Sequence, residues 1–276
     1  MQVLAALCFL VLAHLPLLRG EVVGSFQDIP QCLDFFYEGK VPEWGAATPG
    51  AARLCQRFQN RYHFATLYDT LHRIAVYSAY RFQTGNDPTR NDWCIEPQLV
   101  DRSWNAGMEE EKDLITEHKG VYFGERQALE EDYINSNYDR GHLNPKQHQS
   151  GDSRQATFTL TNVVPQTPNL NQKAWVTYEH QLTKLFIAQC AQAYVLVGAI
   201  PSNNTWIGER VNIPDYIWNA YCCLDNNGRP IGSGGATVRN TGGTRVKRHT
   251  LSELKLLLGQ YTKSPVEELF HNNCEA

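Results

Sequence analysis

The sequence lacks both an excess of positive charge and any Cys-x-x-Cys pair. Its 276 residues contain 25 Lys and Arg against 29 Asp and Glu, which gives a formal net charge of -4. A protein with this balance has no overall attraction for a polyanion, so a nucleic-acid substrate would have to meet a local basic cleft. The cysteine spacing gives no indication of a zinc site. Apolar, aromatic and charged residues occur at ordinary frequencies, which predicts a globular chain.

Beyond its N-terminus the chain also lacks an apolar run long enough to cross a bilayer. The apolar run from Val3 to Leu18 is interrupted only by His14 and is followed by the small residue Gly20. Its position and length predict a signal peptide over residues 1–20 and a secreted protein, with no membrane partner after cleavage. The run is not preceded by Lys or Arg, so an uncleaved anchor stays open as the alternative. Loss of the leader, with Arg19, would change the net charge to -5 (24 against 29).

Export favours disulfide bonds, and seven cysteines follow the leader. Three bridges and one unpaired thiol are expected, and the neighbours Cys222 and Cys223 are not expected to pair with each other. The sequon at Asn203 lies in a polar loop and predicts a glycoprotein. The seven cysteines are Cys32, Cys55, Cys94, Cys190, Cys222, Cys223 and Cys274.

No internal repeat or linker divides the chain. Residues 21–60 are irregular and rich in proline, and Cys32 and Cys55 lie near the ends of this segment, so we expect a cysteine-stapled segment that packs on the core. Residues 61–276 are predicted to form one domain. A hairpin is expected over 63–68 and 73–80, and a helix with a capping box is expected from Thr250. Further strands are predicted over 156–164, where Pro165 would end the strand, and over 194–200, 210–214, 216–222 and 231–238.

The segment Asp139-Arg140-Gly141-His142 carries the strongest chemical signal. An imidazole can act as a general base near neutral pH, a guanidinium can hold a phosphate oxygen, and glycine lets the backbone approach an anion. Taken alone, these four residues could equally form a polar turn. A helix predicted from about Asn171 to about Gln189 follows, with a buried face formed by Trp175, Tyr178, Leu182, Leu185 and Phe186.

On that helix Asn171 lies in the first turn, and Glu179 lies two turns later. The 3.6-residue period separates them by about 80° around the axis, so both side chains can face one cleft. The order of His142, Asn171 and Glu179 therefore predicts phosphodiester chemistry.

Several motifs in this order resemble the DNA/RNA non-specific endonuclease family. Besides the segment ending at His142, they are Thr89-Arg90-Asn91-x-Trp93, residues 160–166, and residues 169–175 followed by Glu179. Residues near Cys32, Cys55 and Phe64 resemble more narrowly the vertebrate endonuclease domain-containing 1-like proteins. The resemblance implies an α+β protein with the ββα-metal (His-Me finger) nuclease fold, in which helices flank a central mixed or antiparallel sheet.

The resemblance also implies a role for each site residue. Asn171 would hold one divalent cation, Mg²⁺ or another such as Mn²⁺, which keeps most of its water shell. His142 would be the general base, and Glu179 would hold water on the cation. Arg140 would orient the phosphate, and Arg90 would face the charge that builds up at phosphorus.

Two further residues and one segment receive weaker interpretations. Asp139 is expected to shape its loop, and Asn162 is expected to be structural or oriented toward His142 or Asn171. The basic run 245–249 is interpreted as an exposed loop, with a phosphate-facing surface as the alternative.

The leading hypothesis is an enzyme: a secreted, metal-dependent endonuclease that hydrolyses phosphodiester bonds of DNA and RNA. It would contact the backbone without base specificity. The alternative is a secreted binding or scaffold protein that keeps the fold with weak or no catalysis. The acidic charge and the unpaired cysteine keep that alternative open.

Overall fold

The computed structural model describes residues 21–44, 50–243 and 245–275, and the predicted signal peptide lies outside these ranges. The strands are β1 (Val22–Val23), β2 (Glu43–Trp44), β3 (Ala51–Phe58), β4 (Arg61–Asp69), β5 (Ile74–Arg81), β6 (Cys94–Ile95), β7 (Glu109–Glu110), β8 (Asp139–His142), β9 (Val163–Gln166), β10 (Gln192–Ile200), β11 (Trp206–Ile207), β12 (Val211–Asn212), β13 (Tyr216–Leu224), β14 (Pro230–Arg239), β15 (Lys247–His249) and β16 (Val266–Glu268). The α-helices are α1 (Pro30–Leu33), α2 (Pro97–Val100), α3 (Glu111–Glu117), α4 (Glu130–Tyr133), α5 (Gly151–Ala156), α6 (Val176–Gln189) and α7 (Leu251–Thr262).

A central sheet of eight strands organises the molecule. Its strands lie in the order β1, β3, β4, β5, β10, β13, β14 and β15, and each neighbouring pair is antiparallel. Four short ladders lie outside it: β2 with β16, β6 with β7, β8 with β9, and β11 with β12. The architecture is therefore α+β, as predicted, and the central sheet is wholly antiparallel.

Alternation along β10 separates two buried layers, because successive side chains of a strand point to opposite faces. Val195 and Val197 pack under residues 93–190, which include β8, β9 and α6; we call this side the ββα face. Leu196 and Ile200 pack under residues 26–37, α7 and the C-terminal tail; we call this side the disulfide face.

The structure contains the three disulfides and the one free cysteine that the sequence predicts. Cys32 pairs with Cys55, Cys190 pairs with Cys223, and Cys222 pairs with Cys274. The free thiol is Cys94, which is buried on the ββα face. Both cysteines of the first and third bridges belong to the buried layer of the disulfide face. Cys274 thus ties the C-terminal tail to β13.

The hairpin of β4 and β5 and the capping box at Thr250 are confirmed. Four local predictions are wrong. Most of the strand predicted over 156–164 is not a strand, because α5 ends at Ala156, a 3₁₀ turn covers Leu160–Asn162 and the strand begins only at Val163. The irregular segment ends before residue 60, since β3 is a strand of the central sheet. Pro165 lies inside β9 instead of ending a strand, which a two-stranded ladder permits because each strand has an outer edge that needs no donor. The end of the basic run forms the edge strand β15 and is not a loop.

Two other predictions concern the division of the chain and its glycosylation. The division of the chain into two segments at residue 60 stays a prediction. Asn203 is exposed, and its glycosylation stays a prediction as well. Across residues 21–44, 50–243 and 245–275, no helix is long and apolar enough to span a membrane.

Candidate active site

The segment ending at His142 forms one strand of a ββα unit. In the β8–β9 ladder Asp139 lies opposite Gln166 and His142 lies opposite Val163. A π-helical turn, Leu170–Trp175, then leads into α6. The predicted helix therefore begins with a wider turn, and it ends at Gln189 as expected. Within β8, a Cβ on Gly141 would lie 2.2 Å from Cδ of the buried Gln166, so close packing requires glycine there.

His142 lies against an aromatic wall. Its ring centroid is 5.1 Å from that of Phe158, in an edge-on arrangement, and 5.5 Å from that of Trp93. The ring is partly exposed, but Nε2 is buried and has no hydrogen-bond partner among the described residues. Burial, together with the positive charges of Lys146 and Arg140, lowers the pKa of His142 to about 3. The imidazole is therefore neutral at pH 7 and presents a buried nitrogen that lacks a partner.

Arg140 shares the aromatic contact of His142. The Cζ atom of its guanidinium lies 4.6 Å from the Trp93 ring centroid, and Nη1 donates a 2.8 Å hydrogen bond to Oε1 of Glu130. Arg140 and His142 are two residues apart on β8, so their side chains leave the same face of the strand. The Trp93 ring therefore contacts both the Arg140 guanidinium and the His142 imidazole, and the three side chains form one group.

Asn171 and Asp139 meet between the first helical turn and the start of β8. Nδ2 of Asn171 donates to Oδ2 of Asp139 at 2.9 Å, and Nε2 of Gln172 donates to the same oxygen at 2.9 Å. The amide of Asn171 is thus oriented by its nitrogen, which turns its carbonyl oxygen Oδ1 to the opposite side. Asp139 is expected to shape its loop, and in the structure its carboxylate orients the side-chain amides of Asn171 and Gln172.

These donors fit a hard cation that is held mainly by water. A carboxamide oxygen with a carboxylate beside it is the ligand chemistry that Mg²⁺ and Ca²⁺ prefer, and Mg²⁺ keeps several of its waters. No group of three or more His, Cys, Asp or Glu side chains in the described part of the chain is arranged to hold a metal ion. A site built from three such side chains is thus absent from the described residues, and the residues fit a site in which one amide oxygen and water hold the cation.

Glu179 is buried on α6 and contacts a different neighbour. Its Oε2 accepts a 2.6 Å hydrogen bond from Nε2 of Gln147. Burial raises the pKa of Glu179 to about 8, and the hydrogen bond from Gln147 opposes this effect. A nearby cation would favour the charged form of this carboxyl group.

Arg90 is the most exposed of the predicted site residues, with 71% of its side chain accessible. Its backbone N–H donates to Oε1 of Gln155 on α5 at 2.9 Å, and its Nε lies 3.5 Å from Oδ2 of Asp92. Trp93, three residues after Arg90, contacts the His142 ring. Arg90 is therefore tethered at the border of the aromatic wall, with its guanidinium in solvent.

Asn162 holds the backbone that follows His142. Its Oδ1 accepts from the backbone N–H of Asn144 at 3.0 Å and from Oγ of Ser78 at 2.9 Å. Its Nδ2 donates to the carbonyl oxygens of Asn144 and Thr157, each at 3.0 Å. All four hydrogen-bonding positions of the amide are used. These bonds go to structural partners and not to the side chains of His142 or Asn171.

The structure thus forms three groups: His142 and Arg140 with Trp93, Asn171 with Asp139, and Glu179 with Gln147. β8 carries residues of the first two groups, and the π-helical turn with the α6 that follows it carries Asn171 and Glu179 of the last two. The convergence of all these side chains on one phosphate stays a prediction. Sequence reasoning missed Glu130 and Gln147, since a charge or an amide in a polar segment carries no signal of its partner.

The comparisons with known proteins agree with this arrangement. The sequence model of the DNA/RNA non-specific endonuclease family matches residues 47–262. The human endonuclease domain-containing 1 protein is 36% identical over 215 residues, which are 75% of this chain and 42% of that protein. Human mitochondrial endonuclease G is 34% identical over 167 residues, which are 59% of this chain and 47% of that protein. A nuclease of Nostoc sp. is 28% identical over 157 residues, 56% of each chain.

A crystal structure of the EndoG/EndoGI complex shares the fold, with a TM-score of 0.55 at 14% identity, and the match covers 87% of this chain and 90% of that one. The chain spans about two fifths of the length of the endonuclease domain-containing 1 proteins it matches, which are 42% covered in human and 38% covered in mouse. The family match covers most of the sequence and includes the whole ββα unit. On this evidence the chain belongs to the DNA/RNA non-specific endonuclease family.

Proposed function

We propose that the chain is a secreted, metal-dependent endonuclease that hydrolyses phosphodiester bonds of DNA and RNA, with His142 as the general base. The observation that carries the proposal is the buried Nε2 of His142, which has no hydrogen-bond partner among the described residues. A buried nitrogen without a partner costs free energy, and an attacking water would satisfy it. Because the pKa of His142 is lowered to about 3, the ring is uncharged across the neutral range, and the lone pair of its unprotonated nitrogen is free to take a hydrogen bond from the attacking water.

Asn171 is the residue proposed to hold the divalent cation, Mg²⁺ or Mn²⁺, through Oδ1. Its amide is preoriented by Asp139, so little side-chain entropy is lost on binding. A bound cation would neutralise a nonbridging oxygen and stabilise the leaving 3′-oxygen. The buried carboxylate of Glu179 would accept hydrogen bonds from waters of this site.

Two arginines complete the proposed mechanism. Arg140 would orient the phosphate, because the Trp93 ring supports its guanidinium and Glu130 occupies one of its nitrogens, leaving other donors for phosphate oxygens. Arg90 would approach the developing charge at phosphorus from the exposed border, where its side chain has room to reorient. Backbone contacts of this kind do not distinguish bases, which suits both DNA and RNA.

Export is part of the same proposal. The N-terminal apolar run predicts a signal peptide, and three disulfides suit an oxidising compartment. A protein with seven buried or half-buried cysteines, of which six are paired, would be poorly maintained in a reducing cytosol.

A plasmid assay tests the enzymatic part. Protein purified from a secretory host is incubated with supercoiled DNA and Mg²⁺, with and without EDTA, and RNA is tested in parallel. His142→Ala should lower the nicking rate by about 10²–10⁴-fold, the range for loss of a general base. The matched control is His271→Ala, because His271 lies on the disulfide face against Tyr37. Nicking by the His142→Ala variant at the control rate would remove the proposed mechanism. If the unaltered protein does not nick, a binding or scaffold role on the same fold would be favoured.

A further inference from the structure

A basic groove lies along α6 and the π-helical turn that precedes it. It has a volume of about 500 Å³ and lies between the helix and the segment that precedes β15. Its floor includes Asn169, Lys173, Thr177 and Gln181, and its wall includes Arg245 and Arg248. We call it the basic groove. Asn169, at one end of the groove, is two residues before Asn171 in the chain, and the helical period places the two side chains on opposite sides of the turn.

The floor of the basic groove is a single helical stripe. Its four floor residues recur every four positions, so they lie on one side of the helix. Twelve residues at 1.5 Å each give a length of about 18 Å. One strand of duplex DNA carries a phosphate every ~3.4 Å along the axis and at a longer spacing along the strand itself, so the groove has room for a few phosphates of one strand.

The positive charge of the groove comes from its wall and from Lys173 on its floor. The charged residues that line it are Lys173, Arg245 and Arg248, and the lining includes no Asp or Glu. This local excess of three positive charges contrasts with the net charge of -4 of the whole chain. Nη2 of Arg248 donates to Oε1 of Gln181 at 2.6 Å, so the wall is joined to the floor.

The position of the wall relative to Asn171 is fixed by Asn240, a buried residue at the end of β14. Its Oδ1 accepts the backbone N–H of Thr167 at 3.0 Å, and its Nδ2 donates to the carbonyl oxygens of Pro165 at 2.8 Å and Pro214 at 3.0 Å. Thr167 immediately follows β9. The basic segment therefore leaves the sheet at the point where the chain turns from β9 toward Asn171.

We propose that the basic groove binds the sugar-phosphate backbone of the nucleic acid that flanks the cleaved bond. The proposal rests on the proposed endonuclease function and identifies where an acidic protein would hold a polyanion. It also reverses the loop interpretation of the run 245–249. The recognition is electrostatic, so it is independent of base sequence and weakens with salt.

The experiment measures binding without cleavage. His142→Ala protein in EDTA is titrated against a fluorescent 20-base-pair duplex and a 20-nucleotide single strand, by anisotropy at several salt concentrations. A triple variant in the same background changes Lys173, Arg245 and Arg248 to Gln. We expect its Kd to rise roughly tenfold at 0.1 M salt, and its log Kd against log salt slope to fall by about 2–3, near 0.9 for each lost duplex contact.

The matched control removes the same net charge elsewhere. Arg102, Lys119 and Arg229 are exposed and do not line the groove. Changing them together to Gln should leave the Kd within about twofold, since exposed charges outside the groove are screened by salt. Equal losses in the two triple variants would overturn the proposal, because net charge and not the groove would then govern binding.

Other outcomes separate this proposal from the proposed function. A plasmid-nicking protein whose groove variant binds DNA normally would overturn the groove and leave the endonuclease intact. Weaker DNA binding by the groove variant of a protein that does not nick would support the groove while the enzymatic proposal fails. Heparin is titrated against the same variants as a second polyanion. Loss of heparin binding with unchanged DNA binding would assign the groove to another polyanion and overturn the proposal.

Discussion

Both faces of the central sheet have a buried apolar layer, and they differ in the contacts that accompany it. On the disulfide face, apolar side chains of α7 and residues 26–37 pack on the sheet, and two disulfides fix the covering segments. On the ββα face, hydrogen bonds cross the sheet from Gln56 to Thr66, to Ser78 and to Asn162. A hydrogen bond fixes the orientation of its donor and acceptor groups. An apolar contact, or a disulfide that closes a long loop, does not fix the orientation of neighbouring side chains. The difference indicates that the ββα face is built to position side chains and that the disulfide face is built to stay folded.

Removal of the tail disulfide should have the largest effect on stability. A double variant, Cys222→Ala with Cys274→Ala, opens a bridge with a sequence separation of 52. For a loop of this size the chain-entropy account gives a loss of about 4 kcal/mol in the free energy of unfolding. Denaturant unfolding measures this loss, and plasmid nicking well below the transition should be unchanged.

Cys94→Ala is the control for this comparison, because Cys94 is buried on the ββα face without a bridge. Its substitution should cost only about 1 kcal/mol, from the smaller volume of alanine. A double variant that stays folded but loses nicking would mean that the disulfide face also positions the active site, against the contrast drawn above.

Asn162→Ala should lower both the stability of the protein and its nicking rate. The change leaves the backbone N–H and carbonyl of Asn144 and the carbonyl of Thr157 without partners in a buried site, and it leaves the Ser78 hydroxyl with Thr66 alone. We expect a loss of about 3 kcal/mol in unfolding free energy, since each buried unsatisfied group costs roughly 1–3 kcal/mol and the site relaxes in part. The nicking rate should also fall, because Asn144 lies two residues after His142.

Denaturant unfolding and nicking rates of the folded protein are compared with those of Asn226→Ala, an exposed turn residue. A stability loss with an unchanged nicking rate would show that the segment after His142 is positioned by other contacts.

The contrast between the faces also explains what the sequence could reveal. The β4–β5 hairpin, α6 and the capping box of α7 follow from periodic side chains and local signals, and these predictions are confirmed. The order of motifs indicated the family. Contacts across the ββα face were not readable, because Glu130 with Arg140 and Gln147 with Glu179 are distant in sequence and neither residue type specifies a partner. The free cysteine was equally undetermined, since pairing depends on which strands become neighbours.

Acid should destabilise the protein through the ββα face. His148 is buried there, with Nδ1 2.9 Å from the Tyr80 hydroxyl, and burial lowers its pKa to about 4. A depressed folded pKa means that the stability is present above pH 6.5 and is lost as the pH falls toward 4. The slope is about 1.4 kcal/mol per pH unit for one group.

In His148→Gln the free energy of unfolding should therefore depend less on pH between 6.5 and 4, by about 2–3 kcal/mol over the window. The remaining slope would include His142, whose pKa is also lowered, to about 3. Asn226→Ala, which changes no titratable group, is the control and should keep the parental slope. An unchanged slope in His148→Gln would show that other groups carry the acid sensitivity.

The smallest effect is expected from Glu130, at the border of the ββα face. Its carboxylate is half exposed and pairs with Arg140, so the pair should contribute less than about 1 kcal/mol to stability. Glu130→Gln should leave thermal unfolding nearly unchanged while it frees one guanidinium nitrogen for phosphate, which lowers KM for plasmid by about two- to threefold, within that free-energy limit. Glu131→Gln, an exposed neighbour with the same change of charge, separates this local effect from a general gain in attraction for DNA. A KM that falls equally in both variants would leave Arg140 without a specific role at this border, whereas a fall in Glu130→Gln alone would support the guanidinium as a phosphate contact.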